Sequence, residues 1–486
     1  MAWSHASRSS LWSRFRRWLE LGIHLYRILL LSTPLAVTAP LVLATRDAAP
    51  AIENAWWNYA TWAAKASSSP ALIKFLQWAS TRRDMFPPSF CDRFNAFHES
   101  APVHSWAETE DALATAFGPA WRTVLDLDEN PIGSGCIAQV YRGRLRKTGE
   151  EVAVKIIHPQ VKQLIALDLE LMRAGVGFLE AFPQLRYLSG RESVVQFAAL
   201  MKRQLNLRAE AENLVRFAEH FRERRGLLRF PQPKMDLTTS SVLVESYEDG
   251  LHFQEMLTQC DVTQRKRIAK VVLESYLRMV FLDNFAHGDL HPGNLLFHGH
   301  DHRTNPSGSG KGRPSDPMVV AIDAGIVTKL EPNDLKNFVD LFHAVATGDG
   351  YKAGQLIVQH SQPTVTISPS GERVEHRCTD TESFCRNMER IVSDALKLNL
   401  RLSEVHVGSL LREVMELCCS HQVKLEGKYA SIVISIAVLE AVGRQLDPEL
   451  DVLSMALPII VQSQLQRAWK RNSSTATALV PAASVA

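Results

Sequence analysis

The stretch His287-Gly288-Asp289-Leu290-His291-Pro292-Gly293-Asn294, followed by the apolar run Leu295-Leu296-Phe297, decides how the rest of the chain is read. Further on stands Val319-Val320-Ala321-Ile322-Asp323-Ala324-Gly325, a second apolar run ending in an acid. Short apolar runs bounded by Gly, Pro and Asp predict buried strands. The two runs would therefore deliver two acids and an amide to one point. Five positions separate Asp289 from Asn294, a spacing suited to phosphoryl transfer. Asp289 is aimed at the attacking hydroxyl, Asn294 turns back to offer a carbonyl oxygen to Mg²⁺, and Asp323 adds a carboxylate. Mg²⁺ takes hard oxygen ligands and keeps several waters, so two protein oxygens and the phosphate oxygens suffice. The competing reading is a turn of Gly and Pro with two incidental acids, and the remaining sequence must decide between them.

Upstream, Pro131-Ile132-Gly133-Ser134-Gly135-Cys136-Ile137-Ala138-Gln139-Val140-Tyr141 is a Gly-rich turn running into a strand. It has the form G-x-G-x-x-G-x-V of a kinase phosphate loop, with Ala138 in the third Gly position. Small residues there let backbone N–H groups approach phosphate oxygens. The candidate nucleotide-binding set is thus Gly133, Ser134, Gly135, Cys136, Ile137, Ala138 and Val140. Next, Glu151-Val152-Ala153-Val154-Lys155-Ile156-Ile157 reads as a buried strand with one Lys. An unpaired buried charge is costly, so Lys155 needs a partner. In kinases such a Lys holds nucleotide phosphates and pairs with a helix Glu. Glu210, in a long helical stretch placed at Arg191–Arg225, shares a face with Leu207 and Leu214 and is the candidate; a solvated helix acid is the alternative. The strand Ser241–Tyr247 leads into Glu248-Asp249-Gly250, read as a hinge between lobes, and its Glu245 joins the nucleotide-binding set. A helix over 262–285 is expected to floor the second lobe.

Composition narrows the classes. A chain of 486 residues with 46% hydrophobic and 22% charged residues can bury a substantial core as two or three domains or one two-lobed enzyme. A net charge of +2 argues against a dedicated nucleic-acid binder, which would show a concentrated basic face. The 7 cysteines are odd in number and scattered, which suits reduced thiols in a cytosol or matrix.

Residues 1–27 form an Arg- and Ser-rich start with no acid before Glu20, the composition of a mitochondrial leader. A basic flank of a bacterial membrane anchor is the other reading. The run Ile28–Ala44 is uncharged; as a helix it would reach about 26 Å, the low end for crossing hydrocarbon. A single span is expected over an interfacial helix. Residues 51–125 read as helices, with Trp56, Trp57, Trp62 and Ala63 as one apolar stripe and Ser67-Ser68-Ser69-Pro70 as a break. In the helix that follows, Leu72, Phe75, Leu76 and Ala79 are the expected buried side. Lys74 and Gln77 lie one turn apart and, as bare sequence, belong on the surface. Residues 126–250 form the nucleotide lobe and 251–465 a mostly helical second lobe. Within it, 298–317 is a polar tract whose His298, His300, Asp301 and His302 fit a mobile loop better than a metal site. The Ser/Thr/Ala-rich tail 472–486 is expected to be disordered.

Only a few residues follow Asp323 before Leu330-Glu331-Pro332-Asn333-Asp334 opens a helix. No long activation segment and no Ala-Pro-Glu occur, and His287-Gly288-Asp289 lacks the Arg of many protein kinases. These features argue against a kinase that docks peptides.

Taken together, Gly133–Tyr141, Glu210-Ala-x-Asn213, His287–Asn294 and Ile322-Asp323 resemble the UbiB/aarF-domain (ADCK, coenzyme-Q-type) atypical kinase family over residues 70–450. The segment Lys74-x-x-Gln77 with Ser80-Thr81-Arg82 resembles that family's K-x-G-Q hallmark, and the loop and the Trp78–Asp84 run are most similar to its mitochondrial aarF-domain-containing kinase two branch. The resemblance implies an α+β, protein-kinase-like, two-lobed fold whose helical N-terminal extension folds over the active site. Lys74 and Gln77 then become active-site residues beside Asp289, Lys155 and Glu210. It further implies Mg²⁺ with ATP or ADP, held at Asn294 and Asp323, and membrane association. An inner-membrane, matrix-facing role in coenzyme Q or lipid metabolism follows, with a lipid or quinone-related small molecule and coenzyme Q biosynthesis proteins as partners and no nucleic acid. Four positions depart from the family pattern: Leu76 for Gly, Gln204 and Asn206 for an acidic E-x-D pair, and Ala324 for Phe after the metal Asp. Amides lack the charge to hold a second Mg²⁺. The expectation is an ATP-dependent phosphotransferase or ATPase. A nucleotide-gated pseudokinase scaffold and a small-molecule kinase of the aminoglycoside or choline type are the alternatives.

Overall fold

The computed structural model describes Leu19 and residues 22–35, 37–38, 41–42, 50–67, 69–81, 93–94, 103–179, 190–222, 228–298, 318–361, 364–367, 373–397, 407–423 and 427–478. The chain divides into two compact units, Met1–Arg208 with Asp236–Val244, and Ala209–Met235 with Glu245–Ala486.

The first unit opens with a helical run over 22–35, followed by α1 (Pro50–Ala66), α2 (Pro70–Thr81) and α3 (Trp106–Phe117). The Ser/Pro break is a helix start: Ser69 Oγ accepts from Leu72 N–H at 3.0 Å with Pro70 as first helical residue. Both are favoured there because the first N–H groups have no helical partner. Ser105 and Glu108 form a reciprocal capping box on α3. The sheet follows in the order β1-β2-β3-β5, with β1 Leu125–Ser134, β2 Ala138–Leu145, β3 Glu151–Ile157 and β5 Val242–Ser246. Leu113, Trp121, Leu125, Tyr141, Val152, Val154, Ile156, Val242 and Val244 fill the core between α3 and the sheet. Next to β3 in sequence come α4 (Val161–Leu179) and α5 (Gly190–Gln204); α2 packs on α4 and α4 on α5. The following helix α6 (Leu207–His220) belongs to the second unit from Ala209 onward.

Several expectations need correcting here. The expected span at 28–44 finds no support: among the described residues no helix is long and apolar enough to cross a membrane. Its apolar residues are divided between two fates. Leu35 packs against Ala60, Ala64 and Phe94, while Leu29, Leu30, Val37 and Leu41 are exposed. Its polar groups tie it to the protein, with Trp56 Nε1 donating to Thr38 Oγ1 at 3.0 Å and Tyr59 OH donating to Leu31 O at 3.3 Å. The leader expectation, 1–27, falls mostly outside the described residues, but His24 is buried and hydrogen-bonded to Asp168. On α1 the small residues Ala60, Ala63 and Ala64 are buried and Trp62 is exposed, while Trp57 packs against the Ala60–Ala64–Phe94 cluster. The single stretch at 191–225 is two helices, because Asn206 Oδ1 accepts from Arg208 N–H at 3.2 Å and starts a new one.

The second unit holds β4 (Leu228–Arg229), α7 (Phe253–Gln259), α8 (Val262–Phe281), β6 (Ala286–His287), β7 (Leu295–His298), β8 (Met318–Ala321) and β9 (Val327–Thr328). Two small sheets, β4-β8-β7 and β6-β9, stand at the end of α8. The helix α8 buries half of its residues, including Val272, Leu273, Tyr276, Leu277, Val280 and Phe281. The helices α9 (Pro332–Ala346), α10 (Gly350–His360), α11 (Thr381–Lys397), α12 (Val407–Ser420), α13 (Gly427–Leu446) and α14 (Val452–Ala478) complete it, with a hairpin of β10 (Thr364–Ile367) and β11 (Arg373–His376) that the helical reading missed. The helix α14 continues to Ala478, so 472–478 belong to it and not to a disordered tail. The rest of the tail, and residues 299–317, lie outside the described residues.

Candidate active site

In the second unit the strand register gathers the acids. Leu295 pairs with Ala321 across β7 and β8, so the residues just outside that pair, Asn294 and Ile322-Asp323, share one end. Ile322 N–H donates to Asn294 O at 2.9 Å and ties the ends together. Asn294 is buried, and its Nδ2 donates to the Asp289 carbonyl at 2.8 Å. Committing the nitrogen in this way leaves Oδ1 to serve as an oxygen ligand, the orientation a Mg²⁺ site requires. Asp323 sits at φ +60°, a backbone region costly for a side-chain-bearing residue and one that collects at functional sites. Asn213 Nδ2 holds the next residue, donating to Ala324 O at 2.8 Å. A Cβ on Gly325 would stand 3.3 Å from Asp323 Oδ1 and 3.5 Å from Glu210 Oε2, so Glu210 reaches this turn, itself buried. The donor set is therefore hard oxygen throughout and fits Mg²⁺.

His287 fixes the start of the loop. It is fully enclosed and stacks on Phe217 with ring centroids 6.1 Å apart. Burial holds its imidazole below the ordinary value, although the Asp289 and Asp323 carboxylates pull the other way. As a neutral ring it accepts from Asp289 N–H at Nδ1, 3.2 Å, so the proton is on Nε2. That atom is enclosed and short of good hydrogen-bond geometry, with the Ile322 carbonyl as its neighbour. A Cβ on Gly288 would meet Ile326 Cγ2 at 2.6 Å; only glycine fits between β6 and β9.

The first unit carries the rest. Gly133 and Ser134 end β1 opposite Val140 and Gln139 of β2, and Gly135 N–H donates to Ala138 O at 2.9 Å to close the turn around Cys136 and Ile137. A Cβ on Gly133 would meet nothing within 4 Å, and one on Gly135 only Ala138 O at 3.7 Å. These glycines border open space into which a Cβ would project, as a phosphate cradle demands. Lys155 stands opposite Val140 across β2 and β3, half-buried between Val154 and Ile156. Gln77 is buried, and its Nε2 makes a 3.8 Å N–H···S contact with Cys136 Sγ. The Lys74 ammonium acts electrostatically on the same thiol, whose pKa burial nevertheless pushes up. The surface expectation for the bare sequence is thus reversed for Gln77, while Leu72, Phe75 and Leu76 are only half-buried; α2 turns its polar side toward the Gly-rich turn. Lys155 falls in the first unit and Glu210 in the second. Glu245, buried, stands on β5 opposite Pro233. Asn213 is the positioning residue whose role was not assigned from sequence; its place one helical turn after Glu210 was the available signal.

An antiparallel sheet with a Gly-rich turn and one Lys strand, followed by a helical unit bearing an Asp–Asn turn and a second strand-end Asp, defines a kinase-like α+β protein. Residues 96–357 match the ABC1 atypical kinase-like domain and residues 390–451 the UbiB helical domain. The chain belongs to the ABC1/UbiB atypical kinase family. It is 29% identical to the mitochondrial ABC1 family protein C21C3.03 of Schizosaccharomyces pombe, over 93% of this chain and 72% of that one. It is 31% identical to the mitochondrial ABC1 family protein YPL109C of Saccharomyces cerevisiae, over 83% and 67%. It is 28% identical to a protein of Serratia proteamaculans named "Probable protein kinase UbiB", over 83% and 69%. Among solved structures, the Rv3197–erythromycin complex from Mycobacterium tuberculosis superposes with a TM-score of 0.51 at 17% identity, covering 79% of this chain and 89% of that one, a likeness of fold.

Proposed function

We propose that this protein is a Mg²⁺- and ATP-dependent phosphotransferase or ATPase acting on a membrane lipid or quinone-related small molecule in mitochondria. The observation that carries the reading is the pair of oxygen donors at one strand end: Asn294, with its nitrogen committed to the Asp289 carbonyl, and Asp323, held at φ +60°. In this reading Asn294 and Asp323 hold the metal and Asp289 orients the attacking hydroxyl or water. Lys155, Glu210 and the Gly-rich turn secure the phosphates, Glu245 contributes to the nucleotide contacts, and Lys74 and Gln77 guard the turn. Bound Mg²⁺ would neutralise charge developing on the transferred phosphoryl group. A small-molecule acceptor is supported by the short passage from Asp323 to α9, which begins at Pro332 with only the two-residue strand β9 on the way. A docked peptide would have little chain to lie on. Mitochondrial residence and work in coenzyme Q metabolism rest on the names of the relatives and the composition of the N-terminus. Membrane association draws on the exposed apolar residues Leu29, Leu30, Val37 and Leu41.

A nucleotide-gated scaffold is the second reading, and one observation favours it. Asn206, where the family pattern has an acid, is committed to starting α6 through Arg208 N–H. One experiment separates the two. Mg²⁺-dependent nucleotide turnover is measured for the wild type and for Asp323→Asn, with circular dichroism to check the fold. The expected result is turnover reduced at least about a hundredfold in a folded variant. Turnover undiminished by the substitution would end the mechanism, and a wild type that binds nucleotide without turning it over would establish the scaffold.

A further inference from the structure

Asp168 is a buried carboxylate outside the proposed phosphoryl-transfer set. It lies on α4, only 2% exposed, and each of its oxygens holds a different element. Oδ1 accepts from His24 Nε2 of the helical run 22–35, and Oδ2 accepts from Ala71 N–H of α2 at 3.0 Å. The second bond completes the first turn of α2, where the leading N–H groups have no helical partner. Pro70 has no N–H, Leu72 N–H donates to Ser69 Oγ at 3.0 Å, and Ile73 N–H begins the helical ladder on Ser69 O at 3.1 Å. Ser69 N–H in turn donates to Ser67 Oγ at 3.2 Å. Ala71 alone takes its partner from a distant part of the chain, and it is fully buried. Without Asp168 that N–H would face neither an acceptor nor water, a state that costs a buried donor its full desolvation. An acid there also suits the partial positive charge of a helix start.

The far end of α2 lies at the Gly-rich turn. Gln77 stands six residues past Ala71, about 9 Å along a helix that rises about 1.5 Å per residue. It is buried, with its Nε2 3.8 Å from Cys136 Sγ. Between the two ends Phe75 meets Phe197 of α5 edge-on, with ring centroids 5.5 Å apart. Ser69 and Pro70 keep the first turn helical, so α2 is one short rod, pinned at its start by a carboxylate and laid against the turn at its far end.

We propose that Asp168 is the positioning residue of the guard over the Gly-rich turn: by starting α2 and holding the N-terminal helix on one carboxylate, it sets how closely Gln77 covers Cys136 and so how open the turn is to nucleotide phosphates. The part that concerns nucleotide rests on the reading of that turn as a phosphate cradle.

The test is the rate at which iodoacetamide alkylates Cys136 in the full chain, followed by peptide mass spectrometry, for wild type, Asp168→Ala, Gln77→Ala and the double variant. Burial is the main cause that holds this thiol's pKa up, so uncovering it both admits the reagent and favours the reactive thiolate. Amide exchange of β3, measured in parallel, reports any loosening of the sheet itself. Loss of a hydrogen bond to a charged group is expected to raise the Cys136 rate about tenfold or more in Asp168→Ala, with β3 exchange unchanged. Gln77→Ala should also raise the rate. The double variant should be no more than about twofold faster than the faster single variant, because both changes remove the same cover. A folded Asp168→Ala protein with the wild-type rate would overturn the proposal. So would rates that multiply in the double variant, or a faster Cys136 reaction matched by faster β3 exchange. If Asp168→Ala does not fold, His24→Leu/Asp168→Leu replaces the buried pair by apolar side chains, a swap that folded proteins tolerate, and it is held to the same outcomes. Saturating Mg-ADP should slow the wild-type rate by about tenfold or more. No protection would overturn the cradle reading and the nucleotide part of the proposal with it. Protection without the rise in Asp168→Ala would overturn the proposal alone.

Discussion

Two turns carry the proposed chemistry, and the chain secures them in different ways. The Asp–Asn turn of the second unit is locked by backbone hydrogen bonds, by Asn294 on the Asp289 carbonyl, by Asn213 on Ala324 and by a fully enclosed neutral His287. Its Gly288 has no room for even a methyl group. The Gly-rich turn of the first unit has open space beside Gly133 and Gly135 and is held from behind through two half-buried imidazoles, His158 on the Gly135 carbonyl and His104 on His158. A metal site needs oxygens fixed to a fraction of an ångström, and dense packing supplies that. A phosphate cradle needs backbone N–H groups left accessible, so its support must come from one side.

The glycines offer the strongest way to break this contrast. Gly288→Ala should destabilise the protein by about 1–3 kcal/mol, the usual cost of forcing extra volume into a packed site, read by chemical denaturation. Gly133→Ala should change stability by no more than about 0.5 kcal/mol, while weakening nucleotide binding measured by calorimetry. Equal stability losses in the two variants would erase the distinction between a packed and an open turn.

A smaller effect sharpens it. His104, His158 and His287 all have pKa values lowered by burial, so the unfolded chain binds more protons than the folded one in acid. Their contribution to stability is fully present above the ordinary value of 6.5 and is lost as the pH falls from there through the folded values. Differential scanning calorimetry should show the melting temperature dropping by a few degrees between pH 7.5 and 5.5. His158→Gln should flatten part of that fall. A melting temperature that rises on acidification would contradict the lowered values.

The second turn was legible because its signals are local. A strand, a Gly/Pro turn, and an acid and an amide at fixed spacing fall within one short stretch. The Gly-rich turn was equally plain, and Lys155 stood out as the one Lys in its strand. The burial of Gln77 was not legible, since helical periodicity alone puts it on a polar face. Only the partner, the turn at Cys136, makes that face an inside. The run at 28–44 is ambiguous for the reverse reason: uncharged sequence looks the same whether it faces lipid or, as Leu35 does, packs against α1. His104 and His158 lie 54 positions apart, and no pattern in either neighbourhood announces the other. The break at Leu205–Asn206 was missed although Asn is favoured at helix starts over helix interiors, the role Asn206 takes through Arg208 N–H.

The most direct test of the account is the ratio of nucleotide affinity with and without Mg²⁺, measured by calorimetry on wild type and Asp323→Asn. If Asn294 and Asp323 form a metal site, Mg²⁺ should tighten wild-type binding by about tenfold or more, equivalent to about 1.4 kcal/mol, and the ratio should collapse toward one in the variant. An Asp323→Asn protein that keeps the wild-type ratio would contradict the metal site, and with it the proposed phosphoryl transfer.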